Sequence, residues 1–217
     1  MEYSSKIKNS ILIALCLLAA TLWFIMFSPW TNRLFNFWLL MSISAITLTS
    51  LSLIIDYKKD RYNLKAKYKF HLKYVMIGIL SAFVLYMIFF IGDIFSSYIF
   101  SFAKSQVNSV YNTKTQGSEL LIGLLLLFLI GPAEEIFWRG FIQSHLSSKT
   151  SDIKGYILTS LIYALVHIFS FNFMLIMAAF ICGLFWGLIY LRYKNIIPCI
   201  ISHALWDLFI FIILPIK

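Results

Sequence analysis

Residues 120–130, LLIGLLLLFLI, run without a break into residues 131–141, GPAEEIFWRGF. The first stretch carries no charge and has the composition of a helix crossing a bilayer. Two adjacent glutamates and an arginine follow it with no loop between. An ionised side chain at that depth is expensive unless it has a partner, a wet cavity or a function. On a helix Glu135 and Arg139 are four residues apart and share a face, so they are expected to form an ion pair that lowers the cost of both charges. Glu134 points about 100° away round the helix and is left over. Just before it, Pro132 removes a backbone donor and Gly131 loosens the same turn, which predicts a kink. Room for water beside a carboxylate is the setting of a general base.

The rest of the chain agrees with a membrane setting. Of 217 residues, 61% are hydrophobic and only 12% are charged, and the mean hydropathy of +0.86 is too high for a domain with a solvated surface. The net charge of +9 does not point to nucleic acid, because the basic residues fall between apolar segments. Cys16, Cys182 and Cys199 lie inside apolar segments without CxxC spacing, which predicts small buried hydrophobes and no disulfide framework.

Apolar runs predict about seven transmembrane helices: 11–27, 34–55, 74–91 (with a continuation toward residue 100), 120–142, 156–171, 173–191 and 196–214. The basic start of the chain resembles a signal peptide, but its apolar run is too long and no small-residue cleavage site follows, so a retained first span is expected. The fold expected is an all-α polytopic membrane helix bundle. With the N-terminus cytoplasmic, thirteen Lys and Arg fall on inner segments and four on outer ones, Arg139 set aside, which favours that orientation. Most inner charges lie in DYKKDRYNLKAKYKFHLKY (56–74), expected to set topology and able to touch anionic headgroups. No repeat or soluble domain interrupts the sequence, so residues 1–217 are expected to form one integral membrane domain. Gly183 and Gly187, in GLFWG, have the spacing of a helix-packing face.

Three further ionisable groups belong beside Glu134. At a rise of 1.5 Å per residue, Glu134, His167, His203 and Asp207 all fall roughly 10 to 18 Å from the inner face, in one layer contributed by three helices. His203 and Asp207 are four apart in SHALWD, so the aspartate can orient the imidazole. Two readings stay open. In one, His167, His203 and Asp207 hold a divalent metal, zinc foremost, with water in the fourth position and Glu134 to deprotonate it; no HExxH motif supports this. In the other, Glu134 activates water directly while His203 and Asp207 polarise the carbonyl or stabilise its oxyanion. Asp93 falls near the outer interface. His71 and His145 are expected to be solvated or interfacial.

EEIFWR (134–139), YALVH (163–167) and HALWD (203–207), in this order on three late apolar helices, resemble the motifs of the CPBP intramembrane protease family, also called Abi or CAAX-type proteases, with bacteriocin-processing and immunity members. The resemblance spans about residues 118–210. It implies a helical membrane fold with a cavity toward the cytoplasm, and peptide-bond hydrolysis in or near the bilayer. By motif, Glu134 is implied as the base, Glu135 and Arg139 as its supporting pair, and His167, His203 and Asp207 as the metal-ligand or oxyanion set. Tyr163 stands where the eukaryotic prenyl-protein form has Phe, and Asp207 where it has Asn. Asp207 and the short length are similar to bacterial members, so a bacterial cytoplasmic membrane is expected and C-terminal CAAX cleavage is not assumed.

The expected function is therefore an intramembrane endopeptidase acting on a small hydrophobic or membrane-associated peptide, such as a bacteriocin leader, a quorum-peptide precursor or an incoming toxin, with membrane lipid as surroundings and no nucleic-acid partner. The alternative is a non-proteolytic immunity or scaffolding protein of the same fold. A transporter is disfavoured because only one span carries a Gly-Pro interruption.

Overall fold

A computed structural model describes residues 8–59 and 66–216. Every regular element among them is helical: α1 (Asn9–Phe27), α2 (Phe37–Lys59), α3 (Leu72–Ile99), the short α4 (Ala103–Tyr111), α5 (Glu119–Lys149), α6 (Asp152–Leu165), α7 (Phe173–Tyr193) and α8 (Ile197–Ile213). α1, α2, α3, α5, α6 with its extension to Ser170, and α7 are long and apolar enough to cross a membrane, and α8 is apolar but shorter. The chain is an all-α polytopic helix bundle. The third span does run on to Ile99, whereas α4, a polar helix beyond it, carries too weak an apolar signal to have been foreseen.

Local chemistry sets the boundaries. The Ser118 hydroxyl accepts from the backbone N–H of Leu121 at the start of α5, Ser151 from Lys154 at α6, and Asn172 from Leu175 at α7, each satisfying an orphan donor of the first turn. Pro198 sits in the first turn of α8, where its missing N–H costs nothing. Phe171, with φ of 51°, turns the chain from α6 into α7.

α5 is the central element. Half of its apolar stretch is buried in the bundle, against 17% for α3, which lies at the periphery. It is not a regular helix: Leu126–Ile130 and Ile136–Gln143 are π-helical, with one α turn, Gly131–Glu135, between them. The break expected at Gly131 and Pro132 thus takes the form of widened turns, a feature frequent at functional sites. At Gly131 a Cβ would stand 3.0 Å from Cα and 3.1 Å from N of Ala204. Glycine there lets α5 and α8 touch backbone to backbone, next to the two glutamates.

The two ends of the bundle are tied differently. At one end Lys67 is buried, giving hydrogens to Asp56 (3.1 Å) and to the carbonyl of Gly140 (3.0 Å). Asp56 also meets His145 Nε2 at 2.6 Å, so His145, expected to be solvated or interfacial, is half-buried and partners a carboxylate. His71 is exposed and caps α3. The backbone of Lys67 and Lys69 is held by Ile196 and Asn195, so this part of the basic loop is packed into the bundle. At the other end Trp38 donates to Thr113 O and Asn172 to Gln106 O. Tyr111, half-buried there, gives its hydroxyl hydrogen to Ile210 O; burial pushes that phenol up to about 12.

Candidate active site

Glu135 and Arg139 are fully buried. Arg139 Nη1 donates to Glu135 Oε1 at 2.8 Å, and Nη2 reaches the carbonyls of Cys182 (3.3 Å) and Gly183 (3.4 Å) on α7. One turn on, Gln143 Nε2 donates to the carbonyl of Gly187 at 2.8 Å. Both glycines of the GLFWG pair therefore offer their carbonyls to α5. They also bring α7 against α6, where a Cβ on Gly183 would lie 3.2 Å from Ser160 Cα and one on Gly187 would lie 2.8 Å from the Tyr156 ring. The guanidinium plane is completed by the rings of Tyr163 and Trp186, 4.8 and 5.4 Å from Cζ.

His203, on α8, gives its Nδ1 hydrogen to Glu135 Oε1 at 2.8 Å, and its Nε2 faces Asp207 Oδ2 at 3.4 Å. The Trp186 ring stacks on it at 3.8 Å with 19° between planes, and the Trp186 N–H is in turn held by Ser202. One carboxylate oxygen thus receives both the guanidinium and the imidazole. Such a shared acceptor fixes α5 and α8 in register.

Glu134 is 6% exposed. Its Oε2 accepts from the Tyr163 hydroxyl at 3.0 Å, and no hydrogen bond to its Oε1 is found among the described residues. The hydroxyl that distinguishes Tyr163 from phenylalanine in YALVH is therefore spent on this glutamate. His167 stands apart from the other five expected residues. Its ring lies 5.5 Å from that of Tyr163, Nδ1 meets the Tyr163 carbonyl at 2.8 Å, and Nε2 meets the indole N–H of Trp23 at 3.0 Å.

The three side chains expected as metal ligands face protein partners in this arrangement. Among the described residues no three His, Cys, Asp or Glu are grouped to hold an ion. Trp23 takes the lone pair of His167 Nε2, and His203 spends Nδ1 on Glu135 while its Nε2 faces Asp207. No step is therefore derived through a metal. A cavity of about 380 Å³, walled by residues such as Phe89, Asp93, Tyr111 and Trp206, lies among α3, α4, α7 and α8 and includes none of the six expected residues.

Three contributors were not singled out by sequence. Trp23, Trp186 and the phenolic hydroxyl of Tyr163 hold His167, His203 and Glu134. A tryptophan inside an apolar span carries no spacing signal of its own; Trp186 falls within GLFWG, which was read for its glycines, and Tyr163 within YALVH.

Comparison with curated proteins and with solved structures gave no match. Residues 116–209, the part that carries all three motifs and the Glu134–Tyr163 and Glu135–Arg139–His203 contacts, match the family model described as type II CAAX prenyl endopeptidase Rce1-like. The match is to the CPBP, or CAAX-type, intramembrane endopeptidase family that the three motifs resemble.

Proposed function

We propose that the chain hydrolyses a peptide bond of a small hydrophobic or membrane-associated peptide in a bacterial cytoplasmic membrane, with Glu134 as the base that activates water. The observation that carries this reading is the state of Glu134: a carboxylate enclosed at membrane depth, one oxygen held by Tyr163 and the other without a protein partner among the described residues. The neighbouring Glu135 has no exposed surface and is paired through its Oε1 with both Arg139 and His203, so the chemistry is assigned to Glu134.

The steps follow from the donors at hand. Glu134 takes a proton from water, and the hydroxide attacks the scissile carbonyl carbon. The developing oxyanion is met by the Nε2 hydrogen of a His203 protonated on both nitrogens, which turns from Asp207 toward the new charge. Collapse breaks the C–N bond, Glu134 gives its proton to the leaving amine, and a carboxylic acid and an amine are released, which become carboxylate and ammonium when the acid's proton passes to the amine in water. Glu135 and Arg139 hold His203 at Nδ1 and take no proton. Maturation of a secreted peptide or self-protection against one are the processes this chemistry would serve.

The test compares peptides from membranes of cells carrying the wild type and Glu134→Gln, by mass spectrometry, with and without a chelator. At least one peptide is expected to be present with the wild type and lost with Glu134→Gln, and to persist on chelation. Identical peptide profiles together with a retained protective phenotype would instead support the non-proteolytic scaffold. Loss on chelation with recovery on adding zinc would return His203 and Asp207 to the role of ligands.

A further inference from the structure

Trp23 lies in α1, far outside residues 116–209, and is 1% exposed. Its indole N–H can only donate, and it points at His167 Nε2 from 3.0 Å. The other ring nitrogen, Nδ1, is 2.8 Å from the Tyr163 carbonyl oxygen, which can only accept. The two partners leave one protonation pattern: Nε2 bare, Nδ1 carrying the hydrogen, the ring neutral. Neither nitrogen then remains for a metal or for the proton of a water.

Four rings close on one another around this bond. Trp23 meets Trp138 at 6.2 Å, Trp138 meets Tyr163 at 5.2 Å, Tyr163 meets His167 at 5.5 Å and His167 meets Trp23 at 6.1 Å, all edge to face. Tyr163 is shared between this ring of aromatics and Glu134, whose Oε2 its hydroxyl holds. A chain of directed contacts therefore runs from α1 through the imidazole to the last turn of α6, and from there across to α5.

We propose that Trp23 is a positioning residue of the active site: its indole hydrogen fixes His167 as a brace on Tyr163, and Tyr163 in turn aims Glu134. The inference rests on Glu134 as the base of the proposed function. It makes His167 a support in place of a ligand or a second base, and it brings the first helix into a site whose motifs all lie in the later half of the chain.

The test uses the full chain in lipid nanodiscs with ¹⁵N-labelled histidine, the His167 signals being assigned by their loss in His167→Gln. The wild type is expected to show an Nδ1–H ring whose bare nitrogen is hydrogen-bonded. In Trp23→Phe, which keeps a ring and removes the donor, the bare-nitrogen signal moves downfield as that bond is lost. The peptide product abolished by Glu134→Gln forms roughly three- to tenfold more slowly, the worth of one hydrogen bond. Benzothienylalanine at position 23, which has the shape of tryptophan with sulfur in place of N–H, gives the same two changes should the phenylalanine variant misfold. Unchanged His167 signals, or product formation at or above the wild-type rate, overturn the role of Trp23 alone. A product that survives Glu134→Gln overturns the proposed function and the positioning role with it, whatever the spectra show.

Discussion

Tyr163 shows at the smallest scale how one atom links motif and mechanism. In YALVH the position is simply aromatic, and nothing in its spacing shows that one hydroxyl reaches a glutamate on another helix; that depends on where α5 and α6 cross. With the hydroxyl 3.0 Å from Glu134 Oε2, Tyr163→Phe removes one donor while the ring keeps its contacts with Trp138 and Arg139. Formation of the Glu134-dependent product is expected to fall roughly three- to tenfold, with little change in the thermal unfolding midpoint in detergent. Arg139 behaves oppositely. The i,i+4 pairing with Glu135 was legible in EEIFWR because helix geometry alone brings the two together. What spacing cannot show is that Glu135 has no exposed surface and that its Oε2 lacks a partner among the described residues. Arg139→Met strands that carboxylate and removes two carbonyl contacts to α7. A loss of about 3–5 kcal/mol is expected, read as a lowered unfolding midpoint and reduced yield of folded protein. The variant should lose stability and activity together, where Tyr163→Phe loses activity alone.

At the scale of elements, the deciding feature is how closely α5 can approach its neighbours. Gly131 and Pro132 were readable as a break, because proline lacks the donor and glycine the side chain that hold a turn. That the break becomes two π-helical segments flanking Gly131–Glu135 is a tertiary result, for it turns Glu134 toward α6 and Glu135 toward α8. GLFWG was legible as a packing face for the same kind of reason, though not as the source of the carbonyls that accept from Arg139 and Gln143. Gly131→Ala tests the α5–α8 contact. Its Cβ would meet backbone atoms of Ala204 at 3.0 and 3.1 Å, atoms that cannot rotate away, so the helices must separate beside the Glu135–His203 bond. A cost of about 1–3 kcal/mol is expected, with loss of the Glu134-dependent product. Gly92→Ala is the matched control: nothing lies within 4 Å of its Cβ, so unfolding in detergent should show it no less stable than the wild type.

For the whole molecule, orientation follows from charge and not from any single contact. Spans and helical class were legible because the bilayer imposes a length and an apolar composition that few other settings produce. The basic loop was legible only as a count. Lys67 is one of its lysines, yet it is turned inward to Asp56 and the Gly140 carbonyl, since a buried carboxylate and a carbonyl freed by a π-helical turn both need a donor. The remaining basic residues still gather at one end: Lys8, Lys58, Lys69, Lys73, Lys149, Lys154, Arg192 and Lys194 lie with the loop, against Arg33, Lys104 and Lys114 at the other. The positive-inside rule then predicts that the loop end faces the cytoplasm. Exposed His71 caps α3 at that end, and exposed Thr115 lies beyond α4 at the opposite one. With Cys16, Cys182 and Cys199 replaced by alanine, His71→Cys and Thr115→Cys can be labelled on intact cells by a membrane-impermeant maleimide. Labelling at 115 from outside, and at 71 only after the cells are opened, is expected. The reverse pattern would put the basic end outside and overturn the orientation read from charge.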